Sequence, residues 1–297
     1  KYVIPNMRLG ATSFLLHETY VPAVRFAAER CDDVALLLVE PGERNEYLAT
    51  PGEIAEIGRI IAGESATLHV HLPTDADFDT WQGARSMIGK IRRVAELTGP
   101  LDPHSFVLHV DFPSLHGTGG EPSAEQQEWT AEALREIAAC LPAPERLAVE
   151  NLETYAPSFW DRWLAGTPYS RCLDVGHIWK DGGDPAPVLA AWLPRVRVIH
   201  LHGLEPRGSE ADAAKPQGQQ KAPEKLAERN LSRLFGPRPR DHKSLRLMPP
   251  EFVDDVMHPL WKTGFSGVLN LEVFSVEDFT ASHAVLMHSW ERYAASF

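Results

Sequence analysis

Cysteine is scarce in this chain: there are three in 297 residues, Cys31, Cys140 and Cys172, an odd number without CxxC or zinc-knuckle spacing. A disulfide framework is thereby excluded as the source of stability, and a reducing, cytoplasmic compartment is expected. Long apolar runs are missing too. None approaches the ~20 residues needed to cross a bilayer, and the segment Lys1 to Met7 lacks a charged-then-apolar signal layout. Because the chain begins at Lys1, a preceding segment stays open. Positive charge is the third deficit, with 29 Lys and Arg against 41 Asp and Glu and a formal net charge of −12. A protein that grips a phosphate backbone generally shows a basic face, so nucleic acid is not an expected partner. The segment Arg233–Arg240, with Arg233, Arg238 and Arg240, is the nearest approach to a basic patch and reads as a solvated loop.

What is present is ordinary globular material, 43% hydrophobic and 24% charged, enough for a sizeable core. Eight strand-like runs can be read: Arg8–Phe14, Val34–Val39, Thr67–Leu72, Phe106–Val110, Leu147–Val149, Cys172–Val175, Val196–Leu201 and Val268–Val273. They alternate with helical patterns near Val21–Arg30, Pro51–Ile61, Gln82–Leu97, Ser123–Cys140, Pro157–Ala165, Pro185–Trp192, Pro250–Lys262 and Val276–Tyr293. Strands separated by helices imply parallel pairing through crossovers, and eight such units predict one (β/α)8 TIM barrel over residues 1–297, a fold that typically takes ~250 residues. Thr50-Pro51-Gly52-Glu53 carries a helix start, with threonine as N-cap, proline in the first turn and glutamate at the capping-box position. One stretch breaks the rhythm. Residues 204–245 form a long insertion after strand seven, rich in Pro, Gly, Gln, Lys and Ala, which would emerge at the mouth of the barrel and could cover a substrate.

Six of the runs end in His, Asp or Glu: His71, His109, Glu150, Asp174 with His177, His200 with His202, and Glu272. Groups that are costly to bury, placed at strand ends from distant segments, are what a metal cluster at one barrel mouth requires. His69 and His71, His109 and Asp111, and His200 and His202 each share one strand face. Of the first pair, His71 stands at the strand end and His69 deeper. In Asp174-Val175-Gly176-His177 the glycine would let the backbone fold the histidine toward the aspartate. Asn151, after Glu150, would orient a ligand or a substrate oxygen. Imidazole with carboxylate suits zinc first, and manganese or iron as well, so two or three divalent ions are expected. Clustered ions point to phosphodiester hydrolysis; a single ion with two glutamates, Glu150 and Glu272, would point to proton shuttling in a sugar.

In order and motif the chain resembles the AP endonuclease 2 and xylose-isomerase-like barrel superfamily. The endonuclease IV ligand pattern is matched by His71, His109, Glu150-Asn151, Asp174-Val175-Gly176-His177, His200-Leu201-His202 and Glu272, with His200 as the ligand and His202 its neighbour or alternative. Its Asp-x-His pair is represented by Asp241 and His242, which are adjacent here. The stretches Leu9–Phe14, Val24–Phe26 with Asp32–Val34, Leu68–Pro73, Val198–Gly203, Asp241–Leu245 and Gly267–Ser275 are similar to those of the cobamide-remodelling phosphodiesterase family, CbiR. That resemblance implies a hydrolase that cuts the nucleotide-loop phosphodiester of a cobamide such as adenosylcobalamin. It also implies catalytic roles for Glu150, Glu272, His177, Asp241 and His242. Trp160, Trp163, Trp179, Phe112 and Phe274 stand near strand ends, where a flat corrin could rest, although core packing is the commoner use of each. The rival expectations are an abasic-site endonuclease, a sugar isomerase or epimerase, and a non-enzymatic corrinoid-binding protein.

Overall fold

The structure is a computed structural model that describes residues 1–38, 48–207, 231–236 and 238–296. Eight parallel strands close into a barrel: β1 (Arg8–Thr12), β2 (Asp33–Leu37), β3 (Thr67–His71), β4 (Phe106–His109), β5 (Leu147–Glu150), β6 (Ser170–Asp174), β7 (Val196–Leu201) and β10 (Val268–Leu271). Their neighbours run β1-β10-β7-β6-β5-β4-β3-β2, and the β1–β10 pairing, Arg8 opposite Val268, shuts the ring. These runs are buried on both faces, which is why they read as nearly continuous apolar stretches. The alternating helices are the expected ones, so the TIM barrel read from the sequence is the fold observed.

Packing follows the residue periods. Within α3 (Trp81–Thr98), Ala84, Met87, Ile88, Ile91 and Val94 form one buried stripe against the barrel wall. Inside the barrel, Val107, Ala148, Cys172, Val198 and Val268 make a separate apolar layer, below the strand ends that carry the polar groups. At the start of α2 (Pro51–Glu64), Thr50 Oγ1 accepts from the Glu53 N–H at 3.2 Å and Glu53 accepts from the Thr50 N–H at 2.7 Å, so the expected capping box is formed.

Two differences matter for the site. After β7 the chain does not leave directly into a loop: β8 (Gly203–Glu205) pairs antiparallel with β9 (Arg240–Lys243), with Gly203 opposite Lys243. This hairpin returns Asp241 and His242 to the barrel mouth. Its strands are short and largely polar, hence invisible to an apolar period. Most of the insertion between them, 208–230 and 237, lies outside the described residues, as do Val39 of the second predicted strand and the cover over the mouth expected from the insertion. All three cysteines are free, and no described helix is long and apolar enough to cross a membrane.

Candidate metal centre

Every strand-end group lies at one mouth, and their order around the ring follows the strand order. Glu150 ends β5 and sits between three imidazoles. Its Oε2 is 2.9 Å from His109 Nε2 and 3.3 Å from His71 Nε2, and its Oε1 is 2.9 Å from His200 Nδ1. The same His200 nitrogen lies 3.2 Å from Glu272 Oε2 and 3.9 Å from Asp174 Oδ2. Four groups from β5, β6, β7 and the end of β10 thus converge on one point. Glu150, Asp174, His200 and Glu272 are all essentially buried, so their charges must be compensated locally.

Burial alone would raise the Glu150 carboxyl, but His200 and His109 more than offset it and hold it well below the usual carboxylate range. Glu272 behaves likewise, with burial opposed by His200 and His242. His200 is lowered by burial yet driven well above its ordinary value by Cys172, Glu272 and Glu150. Without a cation, a proton on imidazole supplies the missing positive charge. His71 donates from Nδ1 to the Leu72 carbonyl at 2.9 Å, which fixes the tautomer that turns its Nε2 lone pair inward.

Beside this point stands a second group. His177, His202 and His242 each offer a ring nitrogen within 4.8 Å of the others. Asp174 links the two groups: its Oδ1 accepts from the His177 N–H at 2.7 Å and lies 3.4 Å from His202 Nε2. The opposing Oδ2, buried, has no hydrogen-bond partner. An orphaned, buried carboxylate oxygen facing imidazoles is the signature of a place for a cation. The nitrogen and oxygen donors present fit a divalent ion such as zinc or manganese.

The local sequence explains this placement. Asp174 caps α6 (Val175–Lys180), which begins directly at the strand end, and this cap turns His177 back. Gly176 has no left-handed backbone; glycine is needed because a Cβ there would overlap the His202 imidazole. The Asn151 amide orients no ligand side chain but exchanges two bonds with the Asp174 backbone, at 2.8 and 2.9 Å, locking β5 to β6, while its backbone carbonyl accepts from His177 Nδ1 at 2.9 Å. Asp241 pairs with Lys180, which also holds Glu153 at 2.8 Å. His242 donates its backbone N–H to His202 Nδ1 at 3.1 Å and lies 3.6 Å, through Nδ1, from Glu272 Oε2. The structure therefore brings His71, His109, Glu150, Asp174, His177, His200, His202, His242 and Glu272 together, and sets Asp241 on their edge against Lys180. Glu153, Lys180 and Cys172 escaped the sequence reading. Glu153 and Lys180 lie three residues beyond Glu150 and His177, outside any strand end, and Cys172 sits in the strand interior.

No protein-family model matches the chain, and no curated protein matches it in sequence. Solved structures do match it in fold. A D-tagatose 3-epimerase-like protein superposes with a TM-score of 0.68 at 16% identity, covering 98% of this chain and 99% of that one. An L-ribulose 3-epimerase gives 0.66 at 14%, covering 98% and 96%. A xylose isomerase domain protein from Planctomyces limnophilus gives 0.64 at 10%, covering 99% and 100%. The likeness is one of fold: these structures share the closed parallel barrel with this chain from end to end.

These likenesses overturn the cobamide reading. The barrels that share this architecture end to end include enzymes titled epimerases of tagatose, ribulose, psicose and a 3-keto-glucoside, and cobamide phosphodiester hydrolysis finds no support among them. The physical reason lies in the motifs. Strand-end ligands in this order belong to the barrel at large, and segments taken as specific have structural duties. Gly203 of the His200–Gly203 run is required because a Cβ would overlap the Ser244 carbonyl. Of the aromatic side chains considered for a corrin platform, Trp160, Trp163, Trp179 and Phe112 are buried in the core, and Phe274 is half-buried against the His242 ring.

Proposed function

We propose that the chain is a divalent-metal-dependent isomerase or epimerase that moves a proton on the carbon beside the carbonyl of a sugar. The observation that carries this reading is the convergence of Glu150 and Glu272 on one His200 nitrogen, at 2.9 and 3.2 Å, with both carboxyls held below their usual range. The similar structures, which include a D-tagatose 3-epimerase-like protein and an L-ribulose 3-epimerase, point the same way.

Glu150, Asp174, His200 and Glu272 would hold the ion, which when bound polarises a substrate carbonyl and the neighbouring hydroxyl. The chain supplies the rest. One of the two glutamates accepts the carbon-bound proton on a carboxylate oxygen and, as the carboxylic acid so formed, returns it to the neighbouring carbon. For inversion at one carbon the other glutamate first takes a proton from solvent and delivers it to the opposite face, while the first releases its proton to solvent. His71 and His109 keep the outer oxygen of Glu150 in place. His177, His202 and His242 offer ring nitrogens for sugar hydroxyls or for a second ion, and Lys180 fixes Glu153 and Asp241 at the rim. The half-buried side chains at the mouth, His109 and His242, mark where substrate enters.

The test is to load the purified protein with manganese, cobalt or zinc and incubate it with a panel of free ketoses and aldoses, following products by chromatography and NMR. Interconversion that disappears in both Glu150→Gln and Glu272→Gln, with folded protein by circular dichroism, is the expected result. Turnover that survives either substitution removes that glutamate from proton transfer, and survival in both overturns the mechanism. Metal analysis of the same samples counts the ions: one for the carboxylate-rich group alone, two or three if the histidine groups fill as well.

A further inference from the structure

At the opposite, N-terminal mouth of the barrel lies a cavity of about 680 Å³ lined by Arg8, Arg197, His104, Thr263, Phe265 and Ser266. Arg8 opens β1 and Arg197 is the second residue of β7. The Arg8 guanidinium donates to Thr67 Oγ1 at 2.9 Å, and that of Arg197 donates to the His104 carbonyl at 3.1 Å. A guanidinium carries five N–H donors, so most of each fork is uncommitted. Among the described residues neither pairs with a carboxylate, although the chain holds 41 acidic residues against 29 basic ones. The carboxylate behind His104 is already occupied. Asp33 is fully buried, with Oδ1 2.5 Å from His69 Nδ1 and Oδ2 2.5 Å from Thr67 Oγ1 and 2.8 Å from His104 Nε2.

Two half-buried guanidiniums left without counter-ions on the wall of one concave site, in an acidic protein, form a receptor for an anion. We propose that this mouth binds the phosphate group of a small molecule, with Arg8 and Arg197 as the two arms of the clamp and the Ser266 hydroxyl as a further donor. The cavity falls within the ~300–1,000 Å³ of small-molecule sites, which leaves room for an organic portion beyond the phosphate. Asp33, its oxygens engaged by His69, Thr67 and His104, is fully buried behind the wall and does not line the cavity. The clamp is independent of the chemistry at the metal-type mouth, and its test uses no turnover.

Protein stripped of metal with EDTA and desalted, so that phosphate cannot be held by an ion at the other mouth, would be titrated calorimetrically with inorganic phosphate and with AMP at low ionic strength. One saturable equivalent is expected, weakened at least ten-fold in Arg8→Gln and in Arg197→Gln and unchanged in His242→Ala. The tighter of the two ligands identifies the source, free phosphate or a phosphomonoester. In the wild-type protein, phenylglyoxal modification of Arg8 and Arg197, read by peptide mass, should be slowed several-fold by the same ligand, which serves if a variant does not fold. Absence of saturable binding, binding lost in His242→Ala instead, or equal modification of both arginines with and without ligand would overturn the proposal.

Discussion

At the residue scale, the groups that matter are those whose burial demands a partner. Glu272 ends an apolar run and is held ionised by His200 and His242, so Glu272→Gln keeps the shape but removes the proton carrier. Its turnover should fall about 10²–10⁴-fold, the range for losing a positioned acid or base, with circular dichroism unchanged. Gly176→Ala tests the packing beneath the histidine group: the added methyl overlaps the His202 ring. Urea unfolding should show a loss of about 1–3 kcal/mol, as for other overpacked positions, and metal content should drop with it. Asp33 tests acid stability. Burial raises its carboxyl, but His69 and His104 outweigh that and leave it far below the usual range. A depressed carboxylate stabilises fully above its unfolded value of ~3.9 and loses that contribution as pH falls through the folded value, at about 1.4 kcal/mol per unit. Urea unfolding of wild type between pH 5 and 2.5 should therefore lose more stability than Asp33→Asn over the same window; equal slopes would show that Asp33 is not the group responsible. The strand-end ligands were legible because His, Asp and Glu interrupt apolar runs. Asp33, Glu153 and Lys180 were not, since nothing in a linear pattern separates a buried or bridging charge from a solvated one.

At the element scale, the alternation of strand and helix was readable because barrel strands buried on both faces leave unbroken apolar runs between amphipathic helices. The β8–β9 hairpin was not. Gly203–Glu205 and Arg240–Lys243 are short and mostly polar, so no apolar period marks them. Lys180 ties this hairpin to α6 through Asp241. Lys180→Met should release it, so that amide exchange at residues 203–205 and 240–243 quickens while that of β1–β7 is unchanged. Protection equal to wild type would mean that the ladder alone holds the hairpin. The glycine of the Asp174–His177 turn also shows how a correct residue can carry a wrong reason. It is present because the ring of His202 leaves no room for a Cβ, rather than to let the backbone fold.

At the scale of the whole molecule, the barrel gathers ligand-type side chains from six segments at one mouth, and the described structure pays for their burial with imidazolium charge that a cation would replace. The ligand order alone could not separate a hydrolase from an isomerase, because both draw on the same strand ends. The match of the entire chain to other barrels is a likeness of fold, and the proposed reading rests on the paired glutamates. The central claim is that the paired glutamates, Glu150 and Glu272, carry a substrate proton at this mouth. The direct measurement is solvent deuterium incorporation: metal-loaded protein and a ketose from the panel in D2O, with the substrate carbons read by NMR and mass. The account predicts one deuterium at the carbon beside the carbonyl, abolished by EDTA and by Glu150→Gln or Glu272→Gln. Sugar interconversion with no deuterium in any product, or exchange undiminished in both glutamine variants, would contradict it.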